Sequence, residues 1–145
     1  MKYSKATNYA LHTMVFLTLA PKGKAIGVEP LAKMQDLSPT YLSKILTKLV
    51  KEGLIESTPG AKGGYAILKK KEDISFLDVI QAVEGQTNLF RCSLAHDSFM
   101  PHDGCLIEKV MQDVEMKMQE TLSQKRLVDI ASQIEQTEKN PFFNM

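Results

Sequence analysis

The chain has 145 residues, the size of one domain, and such a chain can bury about two-thirds of its unfolded surface. With 43% hydrophobic and 24% charged residues it is composed as an ordinary globular protein, which excludes a disordered tail, and its two cysteines exclude a disulfide scaffold and suit a reducing compartment. The net charge of +1 hides a division: residues 1–71 carry twelve lysines against four acids, +8, and residues 72–145 carry six basic residues against thirteen acids, −7. Such asymmetry directs the N-terminal half to a polyanion and the C-terminal half to another task.

Residues 4–20 read as an amphipathic helix, with Ser4 at the N-cap and Leu11, Met14, Val15, Leu17 and Leu19 near a helical period; Pro21 and Gly23 stop it. His12, Thr13 and Thr18 interrupt its apolar middle and no small-residue cleavage site follows, so it is read as a folded helix and not as a signal peptide. The apolar run at residues 14–17 is far short of the ~20 residues of a membrane helix, and a soluble, cytoplasmic protein with no membrane partner is expected. Residues 28–35 predict a short second helix, with Pro30 in its first turn. Ser38-Pro39 then gives a strong start signal, a capping serine followed by proline, for a helix through Glu52 with Leu42, Ile45, Leu46, Leu49 and Val50 on one face; Gly53 ends it.

The pattern next changes to two short strands, residues 54–58 and 65–68, joined by a Gly-rich loop. Ser75-Phe76-Leu77-Asp78 opens a fourth helix with a capping-box pattern, and Gly85 closes it. Between residues 86 and 104 no period holds, and this stretch contains Cys92, His96 and His102. From Cys105 onward, Ile107, Val110, Met111, Val114, Met118 and Leu122 form one stripe that requires a partner surface, and Leu127, Ile130 and Ile134 continue helical. The expected division is a DNA-binding domain at 1–85, a sensor loop at 86–104, a dimerisation helix region at 105–136 and a loose tail at 137–145.

A short helix, a tight turn, a capped helix and a hairpin compose a winged helix-turn-helix. The expected fold is therefore mainly α, with a two-stranded β wing and a long C-terminal dimerisation helix. The second helix of the motif lies in the major groove with its N-terminal residues at base edges. Here those residues are Ser38, Thr40, Tyr41, Ser43 and Lys44, with Lys48 one turn on, all outside the apolar stripe. Hydroxyls reach phosphate or base, and lysine reaches guanine or the backbone. The wing loop Gly60-Ala61-Lys62-Gly63 lets the chain approach the sugar-phosphate closely, with Lys62 at its tip. Taken alone this loop is a plain hairpin turn with a solvated lysine; its place after a recognition helix, within a +8 half, favours DNA.

These residues resemble the Rrf2 family of bacterial winged-helix transcription regulators, which includes the iron-sulfur, nitric-oxide and cysteine-metabolism regulators. The likeness lies in Tyr9-Ala10-Leu11, Ser38-Pro39-Thr40-Tyr41-Leu42-Ser43-Lys44-Ile45-Leu46, Gly53-Leu54-Ile55, the wing from Gly60 through Tyr65, and the stretch from Ile74 to Gly85. It implies a homodimer, paired through long C-terminal helices, that binds a palindromic double-stranded DNA operator and usually represses. Many members hold an iron-sulfur cluster on three cysteines before the long helix. This chain has Cys92 and Cys105, with no cysteine between them and Ser98 near where one would fall. The resemblance implies that a 2Fe-2S cluster here is shared across the dimer, with His12 and Asn8 of the first helix joining Cys92 and Cys105.

Other readings of the loop stand beside that one. Cys92, His96, His102 and Cys105 supply two sulfur and two nitrogen ligands suited to tetrahedral zinc, at an irregular spacing. Two thiols without a cofactor make a reversible disulfide, and so a redox sensor. The plain alternative is that Cys92 packs as a small apolar residue and Cys105 starts a helix; the protein is then a cofactor-free repressor gated by a small ligand or a protein partner. An enzyme with a cysteine nucleophile and His96 or His102 as base lacks any group to orient the base. A protein-interaction scaffold fits the charge division less well than a nucleic-acid binder does.

Overall fold

The computed structural model describes residues 2–86, 88–92, 104–137 and 139–142. The protein is mainly α, and its described residues form six helices and a two-stranded antiparallel wing. Helix α1 spans Lys5–Leu19, α2 Val28–Met34 and α3 Pro39–Lys51; strands β1 (Ile55–Thr58) and β2 (Gly64–Ile67) follow. A single 3-10 turn, Lys71–Asp73, leads to α4 (Phe76–Glu84), and α5 (Leu106–Gln124) and α6 (Leu127–Gln136) complete the fold.

Each start signal in the sequence operates through a side chain. Ser4 Oγ accepts from the Thr7 N–H, Ser38 Oγ accepts from the Tyr41 N–H at 3.1 Å, and Ser75 and Asp78 form the reciprocal capping box of α4. Helix α1 is less one-sided than its periodicity predicts: Thr7, Ala10, Thr13, Met14, Val15, Leu17, Thr18 and Leu19 are all buried. It runs through the middle of the molecule, against α3 and β2 and also against α4 and α6. A helix covered on most sides loses the polar face that a surface helix keeps. Helix α3 is the opposite case, with Leu42, Ile45, Leu46 and Leu49 in the core, Val50 packed against it, and mostly polar residues over the rest of its surface.

The wing pairs Ile55 with Ile67 and Thr58 with Gly64. Ile26 adds a pairing that periodicity does not announce: its N–H donates to the Tyr65 carbonyl at 2.9 Å and its carbonyl accepts from the Tyr65 N–H at 2.8 Å. Gly64, at φ +143°, sits against this contact, where a Cβ would lie 2.5 Å from the Ile26 carbonyl carbon. Only glycine lets the wing lie so close to the segment before α2.

The C-terminal part departs from the expected continuous helix. At Lys125 and Arg126 the backbone becomes extended. The Lys125 carbonyl accepts from the Phe76 N–H, the Leu127 N–H donates to the Ile74 carbonyl, and an Arg126 guanidinium N–H donates to the Asp73 carbonyl. This break sends α6 back against α1, with Leu127 and Ala131 in the core. The tail, expected loose, also differs: Phe142 is 5% exposed and belongs to the same core. Burying an aromatic side chain outweighs the entropy of holding a short tail. The stripe of α5 is divided as well. Met111, Met118 and Leu122 are half-buried, whereas Ile107, Val110 and Val114 lie exposed together with Leu106 and Met116.

Candidate nucleic-acid interface

The capping serine sets the start of α3, and the four core residues fix its rotation. Ser38, Thr40, Tyr41, Lys44 and Lys48 are consequently exposed, and Ser43 is half-buried. Tyr41 is 39% exposed, and its ring is held edge-on by Tyr9 of α1, with centroids 5.9 Å apart and planes at 89°. Aromatic pairs favour this geometry. Tyr9 therefore positions a first-turn residue of α3, a role that sequence spacing could not give because the contact joins two helices. Thr47 turns its hydroxyl back to the Ser43 carbonyl at 2.9 Å and is spent within the helix.

The wing presents Gly60, Ala61 and Lys62 to solvent, with Gly63 half-buried behind them. A Cβ on Gly63 would lie 2.0 Å from the Thr58 carbonyl oxygen, so the turn demands glycine there. Because the Ile26–Tyr65 pairing ties the wing to the segment before α2, Lys22 and Lys24 share a cleft with Lys62. Seven lysines, at positions 22, 24, 33, 44, 48, 51 and 62, are exposed on the helix-turn-helix, the segment before it and the wing. Lys48 has a second electrostatic relation. Glu84 is held below the usual carboxylate range chiefly by the Thr7 hydroxyl, further by the Ser4 N–H and hydroxyl and by the Lys48 charge, against a penalty from burial.

Of the expected sensor residues, His96 and His102 lie outside the described residues. Cys105 is the N-cap residue of α5 and 6% exposed; Cys92 is half-buried. The structure brings the two thiols together. The Cys105 thiol is held below its ordinary value first by the backbone N–H of Glu108, and also by a hydrogen bond with Cys92 and the Ile107 N–H; burial and the Glu108 carboxylate oppose this. These contacts fall short of a full capping bond, and it is the N–H groups of the first turn of α5 that chiefly favour the thiolate. His12 stays on α1, exposed, with Nδ1 2.8 Å from the Asn8 carbonyl oxygen. Among the described residues of one chain, no three histidine, cysteine or acidic side chains gather as a ligand group. An iron-sulfur cluster needs about four ligands, and the described residues of a single chain do not supply them.

No helix among the described residues is long and apolar enough to cross a membrane. The family described as "Rrf2: Iron-dependent Transcriptional regulator" matches residues 3–133. The HTH-type transcriptional regulator NsrR of Shouchella clausii is 27% identical, over 90% of this chain and 88% of that protein. CymR, the global cysteine regulator of B. subtilis, has a similar structure, with a TM-score of 0.70 and 26% identity over 91% of this chain and 97% of that one. IscR of T. potens aligns with a TM-score of 0.74 and 25% identity over 95% of this chain and 91% of that one.

Proposed function

Because the chain belongs to the Rrf2 family of transcriptional regulators, which are DNA-binding proteins and not enzymes, we propose that it is a homodimeric, cytoplasmic repressor of sequence-specific operators. The observation that carries this reading is the division of α3, whose four apolar residues are buried while its polar first turn is exposed beside the wing. The helix is anchored as a rigid body, and what it offers to a groove is a set of hydroxyl and ammonium groups. Ser38, Thr40, Tyr41, Ser43 and Lys44 are assigned to the major groove, Lys48 to phosphate, and Gly60, Ala61, Lys62 and Gly63 to the sugar-phosphate backbone. The winged unit is assigned to residues 1–85, with α6 packed onto it. The exposed face of α5, with Ile107, Val110 and Val114, is assigned to a second copy of the chain, which sets the two recognition helices about one DNA turn apart.

The signal is assigned to Cys92 and Cys105. Their contact supports a cofactor-free thiol switch over a metal site: two thiols lose two electrons and two protons to hydrogen peroxide, forming one disulfide while the hydrogen peroxide becomes two waters. The bond would fix the residues before α5 to its first turn and so alter the packing of that helix. Operator selection on the reduced and the peroxide-treated protein tests both parts. The expected result is a palindromic site bound by the reduced protein and bound at least tenfold more weakly after oxidation, with Cys92→Ser insensitive. Iron and sulfide in equal amounts in anaerobically purified protein would replace the switch with a cluster, and failure to select any site would remove the DNA surface assigned here.

A further inference from the structure

A second cleft adjoins the one that Lys62 shares with Lys22 and Lys24. It lies between the end of α1 and the residues that follow β2, has a volume of about 420 Å³, and carries Lys22, Lys24, Lys69, Lys70 and Lys71 against one acid, Glu72. All five lysines are exposed. Lys69 pairs with Asp78 at 3.6 Å, and among the described residues Lys22, Lys24, Lys70 and Lys71 make no ion pair. Like charges gathered in one cleft repel one another, and a polyanion relieves that repulsion. The floor is apolar, with Leu17, Ala20 and Ile67, and the Thr18 hydroxyl donates to the Met14 carbonyl. Ammonium groups on flexible stems are therefore the side-chain donors that the cleft offers. Such donors suit an anion followed along the surface in water better than one stripped of its water in an enclosed site.

Position separates these lysines from the surface already assigned to DNA. Lys62 is at the wing tip and Lys69 follows the far end of β2, up to about 20 Å away at ~3.3 Å per residue. Exposed charges act over about 10 Å at ~0.1 M salt, so a phosphate at the wing tip does not reach Lys69, Lys70 or Lys71. Lys22 and Lys24 line both clefts and bridge the interval, held there by the pairing of Ile26 with Tyr65. The lysines thus form one strip from the wing tip along its side to the 3-10 turn. We propose that this strip binds the phosphates of the DNA that flanks the operator, so that each protomer grips duplex beyond the half-site read by α3. Continuity with the wing favours the DNA backbone over a free polyphosphate, which would occupy the second cleft alone. The proposal rests on the regulator reading above.

The test compares the operator found by selection in two duplexes, one ending at the palindrome and one extended by about one helical turn, ~10 bp, at each end. The native chain is expected to bind the extended duplex at least tenfold more tightly at ~0.1 M salt, with a steeper salt dependence. Lys70→Gln combined with Lys71→Gln leaves Lys69 on Asp78 and Lys62 on the wing. This double variant is expected to lose most of that gain, to reduce the salt slope on the extended duplex by about 1 per lysine removed, and to bind the short duplex as the native chain does. Equal binding of the two duplexes by the native chain, or an undiminished gain in the double variant, overturns the flank contact. Should the double variant not fold, the length comparison on the native chain decides. Thermal unfolding with inorganic triphosphate, without DNA, separates the other source of phosphate. A saturable rise in the midpoint that the double variant loses, together with equal binding of the two duplexes, overturns the flank contact in favour of a free polyphosphate. A chain that selects no operator contradicts the regulator reading, whereas one that binds its operator equally at both lengths contradicts the flank contact alone.

Discussion

Helices α3 and α5 have comparable apolar stripes in sequence but opposite fates in the fold. Helix α3 places Leu42, Ile45, Leu46 and Leu49 wholly inside its own chain. Helix α5 buries only part of its stripe, and Val110 and Val114 remain 62% and 59% exposed. The difference is one of neighbours. Helix α3 is enclosed by α1, α2, α4 and β1, whereas α5 meets chiefly α4. Apolar periodicity states that a surface requires cover; it does not state which chain provides it. A face buried at home fixes α3 within its own chain, and the face left open on α5 is the one that the proposed second copy would cover.

The largest test of this contrast is Leu46→Ala, which should cost about 2–5 kcal/mol through transfer and cavity terms, read as a lower urea midpoint with α5 unaltered. Val114→Glu should do the reverse: helical circular dichroism stays, sedimentation gives half the mass, and operator affinity falls steeply because two half-sites are no longer bound together. A native chain that sediments as a monomer at micromolar concentration breaks the comparison. Ser38→Ala removes the cap of α3 and should cost about 1 kcal/mol, measurable by thermal unfolding. Lys62→Ala should weaken binding to all sequences alike and reduce the salt slope by about 1, whereas Tyr41→Ala and Tyr9→Ala should alter operator preference together if Tyr9 positions the ring.

The smallest expected effect concerns acid. The folded state depresses the Glu84 pKa, so the ionised carboxylate stabilises the protein above its unfolded value, and that stabilisation disappears as pH falls through the lower folded value. Thr7→Val removes the leading cause and should flatten the acid limb of the stability curve between those two values. An unaltered limb would show that the Thr7 bond to Glu84 contributes nothing to folding.

Local chemistry made the winged unit legible. Ser38, Ser75, Pro39 and Gly53 act within a turn of their own position, and two short strands around glycines have few other structures open to them. The candidate DNA residues could be read for the same reason: once the cap and the apolar face of α3 are known, the remaining positions face outward. The support for Tyr41 was not legible, since Tyr9 meets it only after α1 crosses α3. Nor was the Ile26 pairing that fixes the wing, nor the burial of Phe142, because each depends on segments far apart in the chain.

The sequence by itself determined the elements, the charge division, the presentation of α3 and the family, all of which rest on periods and caps spanning a few residues. Tertiary structure decided where α5 ends and α6 turns back, that Cys92 meets Cys105, that Lys22 and Lys24 share a cleft with the lysines after β2, and which half of the α5 stripe is exposed. These are contacts between distant segments, and their free energy arises from packed surfaces that exist only after the chain has closed on itself.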